Sequence, residues 1–488
     1  MRIKREEAYL TVYASLSMAV LVSLFVALLE SARYHTLQLE AALITDIATD
    51  SILAEYHRGM WERYGMFWMD TSYGTTEPSM QKVRMHFMNY LEKNCDMNDV
   101  FLGGYLYRDL LAMQVESADI LAAALATDCN GAVFRNRAVE VVKNEVGIGI
   151  LQRVAEWLTV VEHNGLDQSN LKEEISHMNE QLADFDGTVK RIGEDWVTIQ
   201  VENPASGAEE IRRKGLLQFV VPDGKAISLA CVDTDTLIST RRNAAGLNRG
   251  NWDFDDINED SLPKRLMWQE YLLRYCGFYS EEIEDSVLQY QIEYLIAGKE
   301  NDMENLRSVV NRICTIREVA NLMYLVTDKV KCAEIEAAAM LIATALTIPE
   351  AQEVFEAAIM IGWAYVESIH DIKCLLAEEE VPLLKTKQNW YCGINCVLEG
   401  ADNLPEADSK DNDGESGLSY KDYLRILLAL SPLEIQTFRM LDIVEMDIRN
   451  TPGNTNFRID GCIDRVVVQA VIGSKYGYCT KISKSKQY

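Results

Sequence analysis

The sequence predicts an α+β fold, predominantly α-helical, in which a long N-terminal transmembrane helix continues into a helical ectodomain with small β elements. Three observations lead there. The chain opens with 22 uncharged residues, Ala8–Leu29. After them no glycine occurs before Gly59 and no proline before Pro78, so neither helix breaker interrupts the opening segment. Most later apolar residues recur at helical spacing, and only a few short stretches alternate as strands do.

At about 1.5 Å per residue the uncharged run is ~33 Å long as a helix, enough for a hydrocarbon core of ~30 Å. It exceeds the ~7–15 apolar residues of a cleaved secretory signal. Arg2, Lys4 and Arg5 precede it and Glu30 follows, which by the positive-inside rule places the N-terminus in the cytoplasm and the bulk of the chain outside. The expected localisation is the cell membrane, single-pass, with the bilayer contacted through Ala8–Leu29. Further on, Leu37, Ala41, Ile44, Ala48, Ser51 and Glu55 follow a helical seam, widened by Leu43, Ile47 and Ile52. One continuous helix to about His57 is expected, with its first half in lipid and its second half covered by protein. The longest later apolar run, Val466–Ile472, is interrupted by Gln469 and too short to span, and no L-P-x-T-G-type motif lies near the C-terminus.

The 488 residues exceed what a single core usually organises. A balance of 48% hydrophobic to 25% charged residues is that of a folded chain. The net charge of -28 repels a phosphate backbone, so no nucleic acid is expected as a partner, and membrane contact falls to apolar residues. Eleven cysteines are scattered, with only Cys392 and Cys396 close, as C-x-x-x-C. A closed zinc site needs four ligands at recognisable spacing, so buried free thiols or an occasional disulfide are expected, with no metal and no cofactor.

Along the chain, residues 1–60 form the membrane-spanning helix and its continuation, and 61–185 a helical region that includes "SADILAAALATDC". Residues 186–260 form a small β insertion and an irregular segment, from "DWVTIQVENP" and from "GLLQFVVPDGKAISL", where Pro222-Asp223-Gly224 marks a turn. Residues 261–398 form a helical bundle. Gly298 ends one helix there, and Asn301 or Asp302 caps the next, whose apolar face runs through Leu306, Val309, Val310, Ile313, Ile316, Ala320 and Met323. Pro349 opens another, with the stripe Val354, Ala358, Ile361, Tyr365, Ile369, Ile372 and Leu376. Residues 399–418 form an acidic loop. It fits a calcium loop only in part, because Asp411, Asp413 and Gly414 are in place but Ser409 and Tyr420 hold the first and twelfth positions. Residues 419–488 form helices, begun by Ser419 to Asp422 and by Ser431 to Glu434, and then two β segments, "FRIDGCIDRVVVQAVIG" and "YGYCTKI".

Catalytic templates fail. Gly147-Ile148-Gly149 is followed by Gln152 where a dinucleotide loop needs glycine, and Ser79 to Lys82 matches S-x-x-K without its companion motifs. No catalytic residue is assigned. The most suggestive polar group is "WAYVESIHDIKCLL", where Glu367 and Asp371 lie four apart on one helical face beside His370. Such a trio can do acid–base work or hold a metal, or it can pair with arginines such as Arg312 or Arg317. In an apolar bundle pairing is the expected role, because internal charges persist only when paired.

"LTVYASLSMAVLVSLFVALLESAR", "LAEYHRGMWERYGMFWMD", "YQIEYLIAGKENDMENLRSVVNRICTIREVANLMYL", "GWAYVESIHDIKCLL" with "EEEVPLLK", and "GLSYKDYLRILL" together resemble the domain-of-unknown-function 5702 family. The resemblance implies a single-span surface protein of Gram-positive bacteria associated with a Tad/Flp-type pilus system, and pilus or envelope proteins as partners. The chain departs from a prepilin in two respects: it has no glycine before the apolar run, and Glu6 and Glu7 precede that run rather than following a cut. The function expected is therefore a membrane-anchored extracytoplasmic structural or assembly component of such an apparatus, not an enzyme. The alternatives are a ligand-binding sensor or enzyme with a polar site at Glu367, His370 and Asp371, and an envelope scaffold unrelated to pili.

Overall fold

The computed structural model describes residues 3–95, 101–102, 105–106, 111–145, 147–167, 171–192, 195–241, 247, 250, 252, 261–399, 404–406 and 417–488. Most of the acidic loop, including Ser409, Asp411, Asp413 and Gly414, and nearly all of the irregular segment before residue 261 lie outside them. The chain divides into two compact units: Met1–Phe134 with Arg242–Asn258 and Ile448–Tyr488, and Arg135–Arg241 with Glu259–Asp447.

In the first unit, helix α1 (Ile3–Leu53) is unbroken. Its large apolar side chains from Tyr9 to Leu29 are exposed, and it is the one described helix long and apolar enough to cross a membrane. From Leu37 onward one face is buried: Leu37, Ala41, Ile44, Ala48 and Ile52, with Thr45 and Thr49, whose hydroxyls bond back to Ala41 and Thr45 carbonyls. Leu43 and Ile47, read from the sequence as widening this stripe, are each 49% exposed. Their 4-residue spacing from Leu39 follows a separate row that winds to the outer side, where Leu39 is exposed as well.

The buried face of α1 packs with α2 (Met80–Cys95) on a four-stranded antiparallel sheet of β1 (Met69–Asp70), β2 (Met113–Leu125), β3 (Cys462–Ser474) and β4 (Cys479–Gln487). β3 is central, pairing β2 from Ser474 to Ile463 and β4 from Gly473 to Arg465. Its alternation buries Val466, Val468, Ala470 and Ile472, as period-2 patterning requires. β4 runs beside α1, with Lys486 bridging to Asp46 at 3.0 Å and Asp50 at 2.7 Å.

β2 corrects the helical reading of "SADILAAALATDC". Alanine favours helix by propensity, but here a long partner strand satisfies the backbone instead. Register shifts at Val115/Ser117, Ile120/Ala122 and Ala124/Leu125 break the period of two, which removed the strand's signature from the sequence. Ala118 and Ala123 are small because they face the core.

In the second unit, Val189–Ile192 and Asp195–Thr198 form a two-stranded hairpin, whose second strand lies in "DWVTIQVENP" and whose first was not read from the sequence. "GLLQFVVPDG" departs from expectation: Leu217–Val220 is one helical turn, which buries Leu217 and Val220, and only the turn at Pro222 to Gly224 holds. The bundle contains α3 (Gln291–Ala297), α4 (Asp302–Thr327), α5 (Lys329–Ala345), α6 (Gln352–Leu376), α7 (Tyr420–Leu430) and α8 (Leu433–Arg449). Gly298 ends α3 at φ +67°, and Asn301 caps α4 by accepting the Glu304 N–H at 2.8 Å. Ser419 and Asp422 form a reciprocal capping box on α7. Around α6 the burial is wider than the expected stripe: from Ile361 to Ile372 every residue is buried, so this is the central helix of the unit.

The register of α1 is testable. Ala48→Leu, on the buried face, is expected to destabilise the detergent-solubilised protein by about 1–3 kcal/mol through overpacking, whereas Leu43→Ala stays within about 0.5 kcal/mol. Unfolding midpoints of the two variants check the assignment.

Candidate functional site

α6 carries Glu367, His370 and Asp371 on consecutive turns, and all three are buried. One ligand-type atom of each lies within 4.8 Å of the others. The structure thus brings the trio together, and it surrounds them with two cations. Arg317 of α4, itself fully buried, donates to Asp371 Oδ2 from Nε at 3.0 Å, and its Nη2 lies 2.9 Å from the same oxygen. Lys385 bridges both acids, at 2.6 Å from Glu367 Oε1 and 2.6 Å from Asp371 Oδ1. Arg312, the other arginine named from the sequence, is exposed five residues earlier on α4.

The remaining valences of these groups are taken as well. Arg317 Nη1 donates to the Pro382 and Leu383 carbonyls, each at 2.7 Å, which fastens the segment after α6. Asn321 links Ser368 and Asp371 at 3.0 and 3.1 Å. Glu367 accepts the backbone N–H groups of Tyr391 and Cys392 at 3.1 and 2.8 Å. His370 bonds through Nε2 with the Glu406 carbonyl at 3.2 Å and stacks on Tyr391, with ring centroids 4.6 Å apart. Burial raises the pKa of Asp371, but the charges of Arg317 and Lys385 outweigh it and hold the carboxyl at about 2. Burial lowers that of Lys385, and Asp371 and Glu367 reverse the shift upward. Two carboxylates and two cations balance, so the low dielectric strengthens the set instead of expelling it.

The three candidate ligands could hold a small divalent cation by geometry alone. The Lys385 ammonium already occupies the position such an ion would take between the two carboxylates, and Asp371 has both oxygens engaged. The arrangement is chemically that of a closed ion-pair brace.

Sequence reasoning missed Lys385 and Asn321. The signal for Lys385 was a single basic residue closing the apolar run Val381–Leu384, a place where a long stem is drawn inward. It also missed Glu293 on α3, which is fully buried. Glu293 Oε1 accepts from the Tyr279 N–H at 3.0 Å and the Tyr420 hydroxyl at 2.8 Å, while Oε2 has no hydrogen-bond partner among the described residues. No cation offsets the burial, which pushes its pKa up to about 7. Asp442, held by the Ser239 N–H and the Tyr294 hydroxyl at 2.9 Å each, is raised by burial to about 6. Cys392 hydrogen-bonds Cys396, and none of the eleven cysteines is in a disulfide.

Residues 194–474, a little over half of the chain, match a family of unknown function (DUF5702). The chain belongs to that family. The matched span contains Glu293, Arg317, Glu367, His370, Asp371 and Lys385, so the DUF5702 region includes the whole brace; α1 precedes it. No curated protein and no solved structure gives a significant match to the chain.

Two predictions follow from the opposite treatment of these buried carboxyls. Lys385→Met leaves Glu367 and Asp371 buried without their shared cation and is expected to cost about 3–5 kcal/mol in denaturant unfolding, whereas His370→Phe, which keeps the stack on Tyr391, costs about 1 kcal/mol. Glu293 binds its proton more tightly folded than unfolded, so the folded state is favoured most below pH ~4.5 and loses that advantage as pH rises through about 7. The loss is on the order of 3 kcal/mol. In unfolding midpoints measured from pH 4 to 8, Glu293→Gln should flatten most of that fall.

Proposed function

We propose that this DUF5702 member is a membrane-anchored, extracytoplasmic structural or assembly component of a Tad/Flp-like surface pilus apparatus. The observation that carries the structural part is the unbroken helix α1, exposed and apolar from Tyr9 to Leu29 and built into a folded unit from Leu37. A helix of that kind transmits position from a bilayer to a body without a flexible joint. Arg2, Lys4 and Arg5 before the span favour an N-terminus in the cytoplasm and the bulk outside. The closed brace around Asp371 favours architecture over catalysis, since every group in it is already engaged. The pilus setting rests on the sequence resemblance, and pilus or envelope proteins are the partners it implies.

The competing reading, a sensor or enzyme using Glu367, His370 and Asp371, draws on the proximity of their ligand atoms. It requires Lys385 to withdraw. The proposed reading expects added protease to reach the bulk of the chain on intact cells, and it expects a deletion strain to assemble few or no surface pili. Normal piliation together with capture of unrelated envelope proteins from solubilised membranes would replace it with a scaffold role.

A further inference from the structure

Where its apolar span ends, α1 meets the turn that joins β3 to β4. Arg33 donates to Glu30 at 3.2 Å, and the Tyr478 hydroxyl donates to the other oxygen of the same carboxylate. The Arg33 guanidinium lies 4.4 Å over the ring of Tyr476. Tyr34 rests against Tyr478, with centroids 5.9 Å apart. The turn is tight: the Ser474 N–H donates to the Tyr478 carbonyl at 2.8 Å, and Gly477 takes the left-handed φ of +85° that closes it. Its apex carries exposed Lys475 and Tyr476, the latter 49% exposed. β2 begins at the same end, since the Lys475 N–H donates to the Ala112 carbonyl at 3.1 Å.

We propose that this end of the first unit, presenting Tyr34, Tyr476 and Tyr478 with Arg33 and Lys475, seats in the headgroup layer of the bilayer that α1 crosses. The inference rests on the membrane-spanning reading of α1 and adds where the folded body begins.

The dimensions agree. Tyr34 is five residues beyond Leu29, which is about 7–8 Å along a helix. The polar interfacial region on each side of a ~30 Å hydrocarbon core is about 5–8 Å deep. The hairpin tip therefore stands at headgroup level and not above it. β4 runs away from that level in step with α1. Tyr478 bonds at Glu30, Lys484 and Lys486 bond at Asp46 and Asp50, and the Tyr488 hydroxyl donates to the Leu53 carbonyl. From Glu30 to Leu53 a helix rises about 35 Å, and from Tyr478 to Tyr488 a strand extends about 33 Å. Strand and helix thus leave the membrane together, and the turn is the point of the sheet nearest to it.

The chemistry agrees as well. Tight turns usually carry Gly, Asn, Asp or Ser at their tips, and two tyrosines there bring ring area that water does not reward. Tyrosine is enriched at membrane interfaces, where the ring meets acyl chains and the hydroxyl stays wet. The body of the chain is acidic, yet at this end Arg33 offsets Glu30 and Lys475 remains as an exposed cation. A cation in the place of Lys475 gains about 1 kcal/mol near an anionic leaflet.

The test uses the full chain reconstituted in nanodiscs of phosphatidylcholine and phosphatidylglycerol, with a benzophenone side chain introduced in turn at Leu21, Tyr476, Tyr34 and Arg58. Leu21 reports the span, and Arg58, highly exposed beyond the far end of α1, reports solvent. Light-induced lipid adducts, read by mass spectrometry, are expected at Leu21 and, several-fold above the Arg58 level, at Tyr476 and Tyr34. Adducts at Leu21 with Tyr476 no higher than Arg58 overturn the seating and leave the span intact. Absence of adducts at Leu21 overturns the span, and the seating with it.

Discussion

Helix α1 changes character along its length, and the first unit is organised around the stretch where its exposed apolar surface gives way to a face covered by protein. From Tyr9 to Leu29 the large apolar side chains of α1 are exposed while the backbone is paired within the helix, the condition for crossing lipid. From Leu37 the same helix offers one face to protein. Its alanines at 41 and 48 are fully buried and let the neighbouring elements approach closely. Both ends of the protein-covered half are fixed by acids that collect several donors. Glu30 takes Arg33 and Tyr478, and Glu55 takes the Tyr73 and Tyr90 hydroxyls at 2.9 and 2.8 Å with His86 Nδ1 at 3.0 Å. A rod pinned at two points cannot pivot about one, which is what an element that holds position at a membrane requires.

The second unit meets a different constraint, that of charge inside a dry bundle. α6 is buried all round from Ile361, so any polar residue on it must find its partners within the protein. Glu367 and Asp371 do so by drawing in Lys385 and Arg317; Arg317 in turn ties down the Pro382 and Leu383 carbonyls, and Glu367 holds the Tyr391 and Cys392 N–H groups. The brace thereby fixes the irregular stretch after α6, which has little secondary structure of its own. The carbonyl of Cys392 completes it by accepting the indole N–H groups of both Trp363 and Trp390 at 2.8 Å.

What the sequence made legible follows from which signals are local. The helix of the uncharged run, the Gly298 and Asn301 boundary, the Ser419 capping box and the β segment within "FRIDGCIDRVVVQAVIG" are each written in a few neighbouring residues, and each reads correctly. β2 was illegible because its strand identity belongs to its partner more than 300 residues away, and because its bulges erase the alternation that would have revealed it. The one-turn helix at Leu217–Val220 failed for the opposite reason: its apolar run is too short for periodicity to separate strand from helix. At the candidate site, the trio on α6 was visible from i, i+3, i+4 spacing. Lys385 was not, since its role depends on a chain reversal that no local pattern encodes.

Asp371 and Glu293 isolate what decides the behaviour of a buried carboxyl here. Both are fully enclosed, and both accept hydrogen bonds from neighbours. Asp371 is held at about 2 and Glu293 is raised to about 7, so desolvation alone cannot be the deciding factor. The difference is cations: two at Asp371, and for Glu293 only the neutral donors Tyr279 N–H and Tyr420 O–H. A protein that needed Glu367 and Asp371 for proton transfer would gain by leaving them as Glu293 is left, with a pKa near neutrality. The chain instead places two cations on the pair that looked most catalytic in the sequence and leaves Glu293 enclosed among tyrosines. That allocation is the reason an architectural role for α6 is the stronger reading.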